Sequence, residues 1–238
     1  MSDNRKLIIG CPVKNDLESL KEMIFSLYNS TKVPFELVII IGKGTNEETM
    51  NFLKLERDEN QWLQGFGSDV PLITILNEQT ETPLEAYNIL FERAKLHKAD
   101  LFLTQTDVVF PKLYKRDWLE QMKRIAIFEH IGAITCINGG GVSGPDYING
   151  LEWLGGHCTY IPFRTIEKLG GYDSNFPNGF GVDIDYTYRI RLLGLNIAKI
   201  NYWVDHHMMN EREHDNNPKT EQMKQESSKY FKKKYGIN

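Results

Sequence analysis

Short apolar segments alternate with amphipathic segments through the first half of the chain, and this alternation constrains the fold more than any other feature. The apolar segments at residues 7–13, 35–41, 72–76 and 100–104 have the length of buried strands. The segments between them carry apolar residues three or four positions apart, which is the spacing of a helix that packs on a sheet. Strands separated by helices form a mostly parallel central sheet with right-handed crossovers, so the sequence predicts an α/β fold flanked by helices.

A capping pattern marks the start of each intervening helix. Asn15, Thr45 and Thr82 each stand three residues before a glutamate, as in a capping box. Pro83 follows the third cap, at the first helical position where proline is favoured. All three helices are therefore predicted to begin directly after strands, at the sheet edge where open α/β sheets bind ligands.

The second half of the chain has a less regular pattern. Helices are predicted over residues 115–129, 165–169, 183–193 and from residue 217, and strands over residues 131–137, 158–163 and 196–204. A glycine-rich segment occupies residues 138–145. We find no linker, repeat or low-complexity tract, so we predict a single domain over residues 1–238, with halves that meet near residue 110.

The composition excludes several classes of protein. A formal net charge of −4 argues against a nucleic-acid binder, which needs a strong positive field. Three cysteines without paired spacing predict reduced, buried thiols and a cytoplasmic protein. The start of the chain does not have the pattern of a signal peptide, and no apolar run reaches the roughly 18 residues needed to cross a bilayer. The lysines at 232–234 are interpreted as a solvated helix end, with peripheral contact to anionic lipids as the alternative.

Two carboxylates, Asp183 and Asp185, stand at the start of the predicted helix 183–193, after the flexible run at residues 178–181. Backbone N–H groups and the helix dipole hold a carboxylate in this position. Such a carboxylate is a candidate general base at the edge of a cleft.

Other polar residues follow predicted strands in a recognisable order. They are found at residues 11–15, at residues 103–107, at 171–173, at the acidic pair and at the histidine pair 206–207. In this order the set resembles the family 2 glycosyltransferases of the GT-A fold, and in particular their rhamnosyltransferase-like members. The resemblance covers nearly the whole chain, including a lysine-rich ending at residues 229–236. It implies a Rossmann-like GT-A domain with a nucleotide-sugar-binding half up to about residue 110 and an acceptor-binding half from about residue 111.

The resemblance implies a nucleoside-diphosphate sugar as the donor. Pro12, Val13 and Asn15 would lie under its base and ribose, although Asn15 serves equally well as a helix cap. The family has an acidic pair after the second strand, where this chain has Lys43. Because Lys43 cannot accept a hydrogen bond from a base, it contacts a phosphate or is simply solvated. Asn88 stands where the family often has a polar donor-site residue, and a surface role is the alternative.

The segment Gln105-Thr106-Asp107 takes the place of the family's Asp-x-Asp motif. The resemblance implies Mn²⁺ or Mg²⁺ there, bridging the two phosphates of the donor. Glutamine replaces the first acid, so Asp107 is the one carboxylate of the motif. His206 corresponds to a late histidine that joins the metal or the pyrophosphate, and strand alternation points its neighbour His207 the other way.

Asp183 matches the base of inverting members, which takes the proton from an acceptor hydroxyl. Asp185 either holds the acceptor or pairs with Arg189 four residues later, and the ion pair is favoured. The acceptor itself is expected to be a glycan, a lipid-linked compound or another hydroxyl compound. The expected acceptor pocket also includes Trp153, Gly156 and His157, although a core tryptophan is the commoner case.

Two other functional classes are open. A nucleotidyltransferase would carry a basic, glycine-rich loop after the first strand, and residues 11–16 contain no glycine. A catalytically degenerate relative that binds nucleotide or glycan is the stronger alternative. The family usually has acidic residues at the positions that Lys43, Gln105 and Val182 occupy in this chain. A degenerate relative would account for their absence.

Overall fold

A computed structural model of the chain describes residues 5–59, 73–111, 117–138, 147–149, 154–155, 157–207 and 218–237. The strands in this part of the chain are β1 (Leu7–Val13), β2 (Glu36–Gly42), β3 (Ile73–Thr80), β4 (Asp100–Thr104), β5 (Val108–Val109), β6 (Ile131–Asn138), β7 (Tyr147–Asn149), β8 (Cys158–Ile161) and β9 (Asn196–His206). The helices are α1 (Leu17–Ser30), α2 (Glu47–Glu59), α3 (Pro83–Leu96), α4 (Trp118–Ala126), α5 (Phe163–Leu169), α6 (Val182–Leu192) and α7 (Pro218–Tyr235).

The strands form one sheet in the order β3-β2-β1-β4-β8-β6-β9-β5, and β7 also pairs with β9. The first four strands are parallel, as predicted from the strand–helix alternation. Beyond β4 the sheet is mixed, because β8 is antiparallel to both of its neighbours while β6 and β9 are parallel. The predicted α/β fold is confirmed, and the short strands β5 and β7 are additions that the apolar pattern did not predict.

Helices cover both faces of the sheet. One core contains residues of α1, α2 and α4, and the other contains residues of α3, α5 and α6. The side chains of β1 and β2 alternate between these cores, which is why both strands read as continuous apolar runs. The first core receives Leu7, Ile9, Cys11, Val13, Leu37, Ile39 and Ile41, and the second receives Ile8, Val38 and Ile40.

Two of the predicted helix caps are wrong by one residue. Asp16 rather than Asn15 caps α1, since its carboxylate accepts an N–H from the first turn. The side chain of Asn15 instead accepts the backbone N–H of Asn46, which ties the loop after β1 to the loop after β2. Asn46 in turn caps α2 in place of Thr45, whose hydroxyl donates to a backbone carbonyl. The side chain of Asn15 thus joins two loops at the carboxyl edge of the sheet.

The three cysteines are buried and free, in agreement with the prediction of buried thiols. No helix in the described part of the chain has the length and apolar character needed to cross a membrane.

Glu36, at the start of β2, is a nearly buried carboxylate that joins three segments of the chain. Its oxygens lie 2.6 Å from Lys6 Nζ and 2.6 Å from an Arg93 guanidinium nitrogen, and accept a hydrogen bond from Thr74. Burial raises the pKa of Glu36, but the hydrogen bonds from Lys6, Arg93 and Thr74 outweigh burial and lower it to about 2. The ionised carboxylate therefore stabilises the folded state.

We expect Glu36→Gln to lower the free energy of unfolding at pH 7 by about 2–3 kcal/mol, or roughly 4–12 °C in Tm. The contribution of Glu36 is fully present above its ordinary pKa of 4.5 and is lost as the pH falls toward 2. The difference between wild type and variant should thus shrink over that interval in urea unfolding curves. Glu22→Gln, at an exposed position, is the control and should leave stability unchanged. A pH-independent difference would contradict the assignment.

Candidate active site

A cleft of about 650 Å³ opens at the carboxyl edge of the sheet, where the loops after β1, β2, β3 and β4 meet. Helices α3 and α7 form further parts of its wall. The described residues that line it are Pro12, Val13, Lys14, Asn15, Asp16, Gly42, Thr80, Glu81, Thr82, Pro83, Ala86, Tyr87, Gln105, Thr106, Asp107, Phe180, His206, Thr220 and Lys224. The predicted donor residues after β1 and β4 are therefore brought together with His206, which comes from the far end of the chain.

The polar centre of the cleft is formed by Gln105, Asp107 and His206. His206 Nε2 lies 3.2 Å from Gln105 Oε1 and 3.3 Å from Asp107 Oδ2. The backbone fixes this arrangement, because Val108 pairs with His206 between β5 and β9 and the N–H of His207 donates to the carbonyl of Asp107. The imidazole of His206 is 8% exposed and the carboxylate of Asp107 is 27% exposed, so the aspartate is the more accessible of the two from the cleft.

Two further histidines lie near this centre, and only His157 packs against it. The ring of His157 stacks on that of His206, with centroids 4.3 Å apart. Burial, together with the charge of His206, lowers the pKa of His157 to about 4, so its ring is neutral at neutral pH. His207 points away and pairs with Asp205, as strand alternation predicted. His157, expected in the acceptor pocket, thus lies directly behind the polar centre.

The donor atoms of the polar centre fit part of the coordination shell of a divalent cation. Adjacent ligands of an octahedral ion with bonds of about 2.1 Å are about 3 Å apart, close to the separation of Asp107 Oδ2 and His206 Nε2. Within the described residues, no group of three or more histidine, cysteine, aspartate or glutamate side chains is placed to hold a metal. An ion at Asp107 and His206 would therefore need further oxygen ligands, such as those of bound phosphates.

Asp183 lies in the first turn of α6. The helix begins after Gly181, whose φ of +75° is strained for any residue with a side chain. Asp183 is partly exposed, and burial followed by its negative charge raises the pKa of the buried Tyr172. Its charge also acts on Tyr87, which lines the cleft, and Phe180 lines the cleft three residues before it. The carboxylate thus stands beside the cleft, near Tyr87 and Phe180 of its lining.

Asp185 has a different environment from its neighbour. Its side chain is completely buried, and Oδ2 accepts from Arg189 Nε at 2.9 Å. Oδ1 accepts from Lys234 Nζ at 2.6 Å and from the Tyr235 hydroxyl at 2.7 Å. Of the two interpretations of Asp185, the ion pair with Arg189 is therefore present, and the carboxylate also anchors α7. We call Asp185, Arg189, Lys234 and Tyr235 the tail clamp.

The lysine run at the C-terminus is divided by this clamp. Lys232 and Lys233 are exposed, as expected of a solvated helix end. The ammonium of Lys234 instead turns inward and bridges Asp185 and Asp173, 2.8 Å from the latter. The interpretation as a solvated run is wrong for Lys234, because two carboxylates on the domain face it.

Asn88 and Lys43 lie beside the cleft and not among its described lining residues. Asn88 Oδ1 accepts the N–H of Tyr172 at 2.8 Å, and a side chain at Gly171 would meet that same oxygen. The ammonium of Lys43 pairs with Glu81 at the rim. Asn88 thus holds the loop after α5. Lys43 contacts Glu81, and Glu81 lines the cleft. The predicted residues Trp153 and Gly156 lie outside the described residues.

Several residues of the cleft were not predicted as site residues. Tyr87 belongs to the apolar stripe of α3, but its hydroxyl accepts from Gln105 Nε2 and so faces the polar centre. Glu81 follows a strand that extends four residues beyond its apolar run, so its position was not visible in the pattern. Thr220 and Lys224 reach the cleft from α7, and only the tertiary fold places that helix there.

No protein-family model matches the sequence, and neither does any curated protein. Solved structures do match the fold. A mannosyltransferase from Pyrobaculum calidifontis, PcManGT in complex with GDP-Man and Mn²⁺, superposes with a TM-score of 0.64 at 15% identity, over 89% of this chain and 59% of its own. GalNAc-T7 with UDP, GalNAc and Mn²⁺ gives a TM-score of 0.65 at 18% identity, over 86% and 44%.

TarS residues 1–349 from S. aureus, in complex with UDP, superposes with a TM-score of 0.59 at 14% identity, over 84% of this chain and 60% of its own. The chain therefore spans about half the length of the structures it matches. These likenesses show that the chain has the fold of GT-A glycosyltransferases, as the order of its motifs implied. The rhamnosyltransferase-like subgroup stays a prediction.

Proposed function

We propose that the protein is a metal-assisted, inverting glycosyltransferase that moves a hexosyl or deoxyhexosyl group from a nucleoside-diphosphate sugar to an acceptor hydroxyl. The observation that carries the proposal is the cleft itself, in which the loop after β1, the segment Gln105–Asp107 and His206 meet at the carboxyl edge of a GT-A sheet. Structures with the same fold contain GDP-Man or UDP, and two of them contain Mn²⁺.

The donor is proposed to lie along the cleft with its diphosphate at the polar centre. Asp107 and His206 would hold Mn²⁺ or Mg²⁺ there, and the ion supplies charge neutralisation for the departing diphosphate. Pro12 and Val13 offer an apolar surface under the base and ribose. The imidazole of His206 is nearly buried, which strengthens the electrostatic interactions that it makes.

The base of the reaction is proposed to be Asp183. Its carboxylate takes the proton of the acceptor hydroxyl while that oxygen forms a bond to the anomeric carbon. The bond from the anomeric carbon to the phosphate oxygen breaks on the opposite face, and the nucleoside diphosphate leaves with the electron pair. Positioning and charge stabilisation then account for most of the rate. The proposed acceptor is a glycan, a lipid-linked compound or another hydroxyl compound.

Calorimetric titration with UDP, GDP, dTDP and CDP, each with and without Mn²⁺, tests the proposal. We expect metal-dependent binding of at least one nucleotide. Asp107→Asn should weaken that binding at least tenfold, since even the loss of an outer-shell partner lowers metal affinity about 10- to 100-fold. Asp205→Asn removes an exposed carboxylate beside His206 on the other side of the strand, and it should bind like wild type.

Other results would point to the alternatives. Metal-independent binding that Asp107→Asn leaves unchanged would remove Asp107 and the metal from the proposal. A folded protein that binds none of the four nucleotides would favour a degenerate relative that acts through its second half.

A further inference from the structure

An ion pair stands at the rim of the cleft, on the far side from the polar centre. Lys43, in the loop after β2, contacts the carboxylate of Glu81, in the turn between β3 and α3. The hydrogen bond and the charge of Glu81 raise the pKa of Lys43. Glu81 lines the cleft with its side chain 62% exposed, so its carboxylate is accessible to a ligand.

The backbone holds this rim in place from both sides. The N–H of Lys43 donates to the carbonyl of Thr80 at 2.8 Å, although the ladder between β2 and β3 shifts register just before it. The N–H of Glu81 donates to a carboxylate oxygen of Glu85 at 2.8 Å, and the Thr82 side chain caps the same turn of α3. Glu81 is therefore presented by an ordered turn, fixed before any ligand binds.

The strand order sets the distance from this rim to the polar centre. Glu81 follows β3 and Asp107 follows β4, and β2 and β1 lie between them in the sheet. Three interstrand spacings amount to about 14 Å. An extended nucleoside diphosphate has the length to bridge that gap, so a diphosphate held at Asp107 and His206 has its base within reach of Glu81.

Charge favours the same orientation of the ligand. The cation at the rim, Lys43, is already paired with Glu81, and the carboxylate of Glu85 lies in the same turn. The two carboxylates and one ammonium of this rim disfavour a diphosphate there. A neutral, planar base that can donate an N–H to a carboxylate would be accepted.

We propose that Glu81, oriented by Lys43, is the residue that selects the donor's base, and that it selects bases with a hydrogen on the ring nitrogen of their pairing edge. This inference rests on the proposed function and deepens it. The bases that meet the requirement are uracil, thymine and guanine. Their ring N–H donates to the carboxylate, which when ionised can only accept. Cytosine and adenine present a lone pair at the corresponding nitrogen, which the carboxylate repels.

The test compares nucleotides in matched pairs, UDP with CDP and GDP with ADP, by calorimetry in the presence of Mn²⁺. Wild type should bind the N–H-bearing member of at least one pair about tenfold more tightly, the size expected of a solvated hydrogen bond to a charged group. In Glu81→Gln the ratio should fall to within about threefold, because an amide can donate to cytosine as well as accept from uracil. Glu92→Gln, exposed on α3, the helix that follows Glu81, should keep the wild-type ratio.

The outcomes separate this inference from the proposed function. Equal affinity for the two members of both pairs, UDP with CDP and GDP with ADP, would overturn the role of Glu81 and leave the transferase proposal intact. An unchanged ratio in Glu81→Gln would do the same. No nucleotide binding by folded wild-type protein would overturn both.

Discussion

Asp183→Asn is expected to reduce turnover by about 10²- to 10⁴-fold, the usual contribution of a general base. Asparagine has nearly the same shape but cannot take up a proton, so the acceptor hydroxyl would have to attack without deprotonation. Nucleotide binding should be unchanged, because the carboxylate stands beside the cleft and the described lining residues do not include it. Release of nucleoside diphosphate in the presence of acceptor measures the first quantity, and calorimetry measures the second.

The position of Asp183 explains why the loss should fall on turnover alone. Gly181 turns the chain into α6 through a left-handed conformation, and Asp183 follows in the first helical turn. Its side chain is partly exposed and Val182 beside it is buried, so the carboxylate does not support the core. We expect the free energy of unfolding to change by less than about 0.5 kcal/mol in this variant. Turnover within a few-fold of wild type would remove Asp183 from the mechanism.

The sheet and the meeting of polar segments at its carboxyl edge were predictable because local signals agree there with the tertiary structure. The apolar runs of β1 and β4 coincide with the strands residue for residue. The polar segments that end them, at Asn15 and at Gln105–Asp107, then meet because parallel strands end at the same edge. The resemblance also pointed to His206, and the structure places it at the end of β9, beside Gln105 and Asp107.

The remaining parts of the site depend on contacts between segments far apart in sequence. Asp16 and Asn15 differ by one position, and only the approach of Asn46 decides which of them caps the helix. The rim pair of Lys43 and Glu81 joins two turns, and no pattern within either turn reveals it. In these cases the role of a side chain depends on which distant residue contacts it, and the residue type alone does not reveal that contact.

Substitution of Asp185 in the tail clamp is also expected to have a large effect, in this case on the free energy of unfolding. Asp185→Asn removes the charge that Arg189, Lys234 and Tyr235 all bind, at a position with no exposure to solvent. Breaking a buried pair by removing one partner costs about 3–5 kcal/mol, and the amide can keep part of the hydrogen bonding. We expect a loss of about 3 kcal/mol, or roughly 6–12 °C in Tm for a chain of this length.

Asp183→Asn is the matched control for this prediction. It is the same chemical change two residues earlier on the same helix, and the expected signatures are opposite. The variant at 183 should lose turnover and keep its Tm, whereas the variant at 185 should lose Tm. Equal Tm values for both variants would show that the tail clamp contributes nothing to folding.

Hydrogen exchange would show which part of the domain the tail clamp stabilises. Besides the clamp, α7 is held by Tyr230, which donates to Asp173 and packs against Phe176, and by Ser227, which donates to a carbonyl of the adjacent turn. These contacts lie closer to the cleft than Lys234 does along the helix. In Asp185→Asn, amides near the C-terminal end of α7 should therefore exchange faster than those around Ser227, because the helix is released from its end. Uniformly faster exchange over the whole domain would instead show that Asp185 stabilises the core, and that α7 loses protection only because the whole domain unfolds more often.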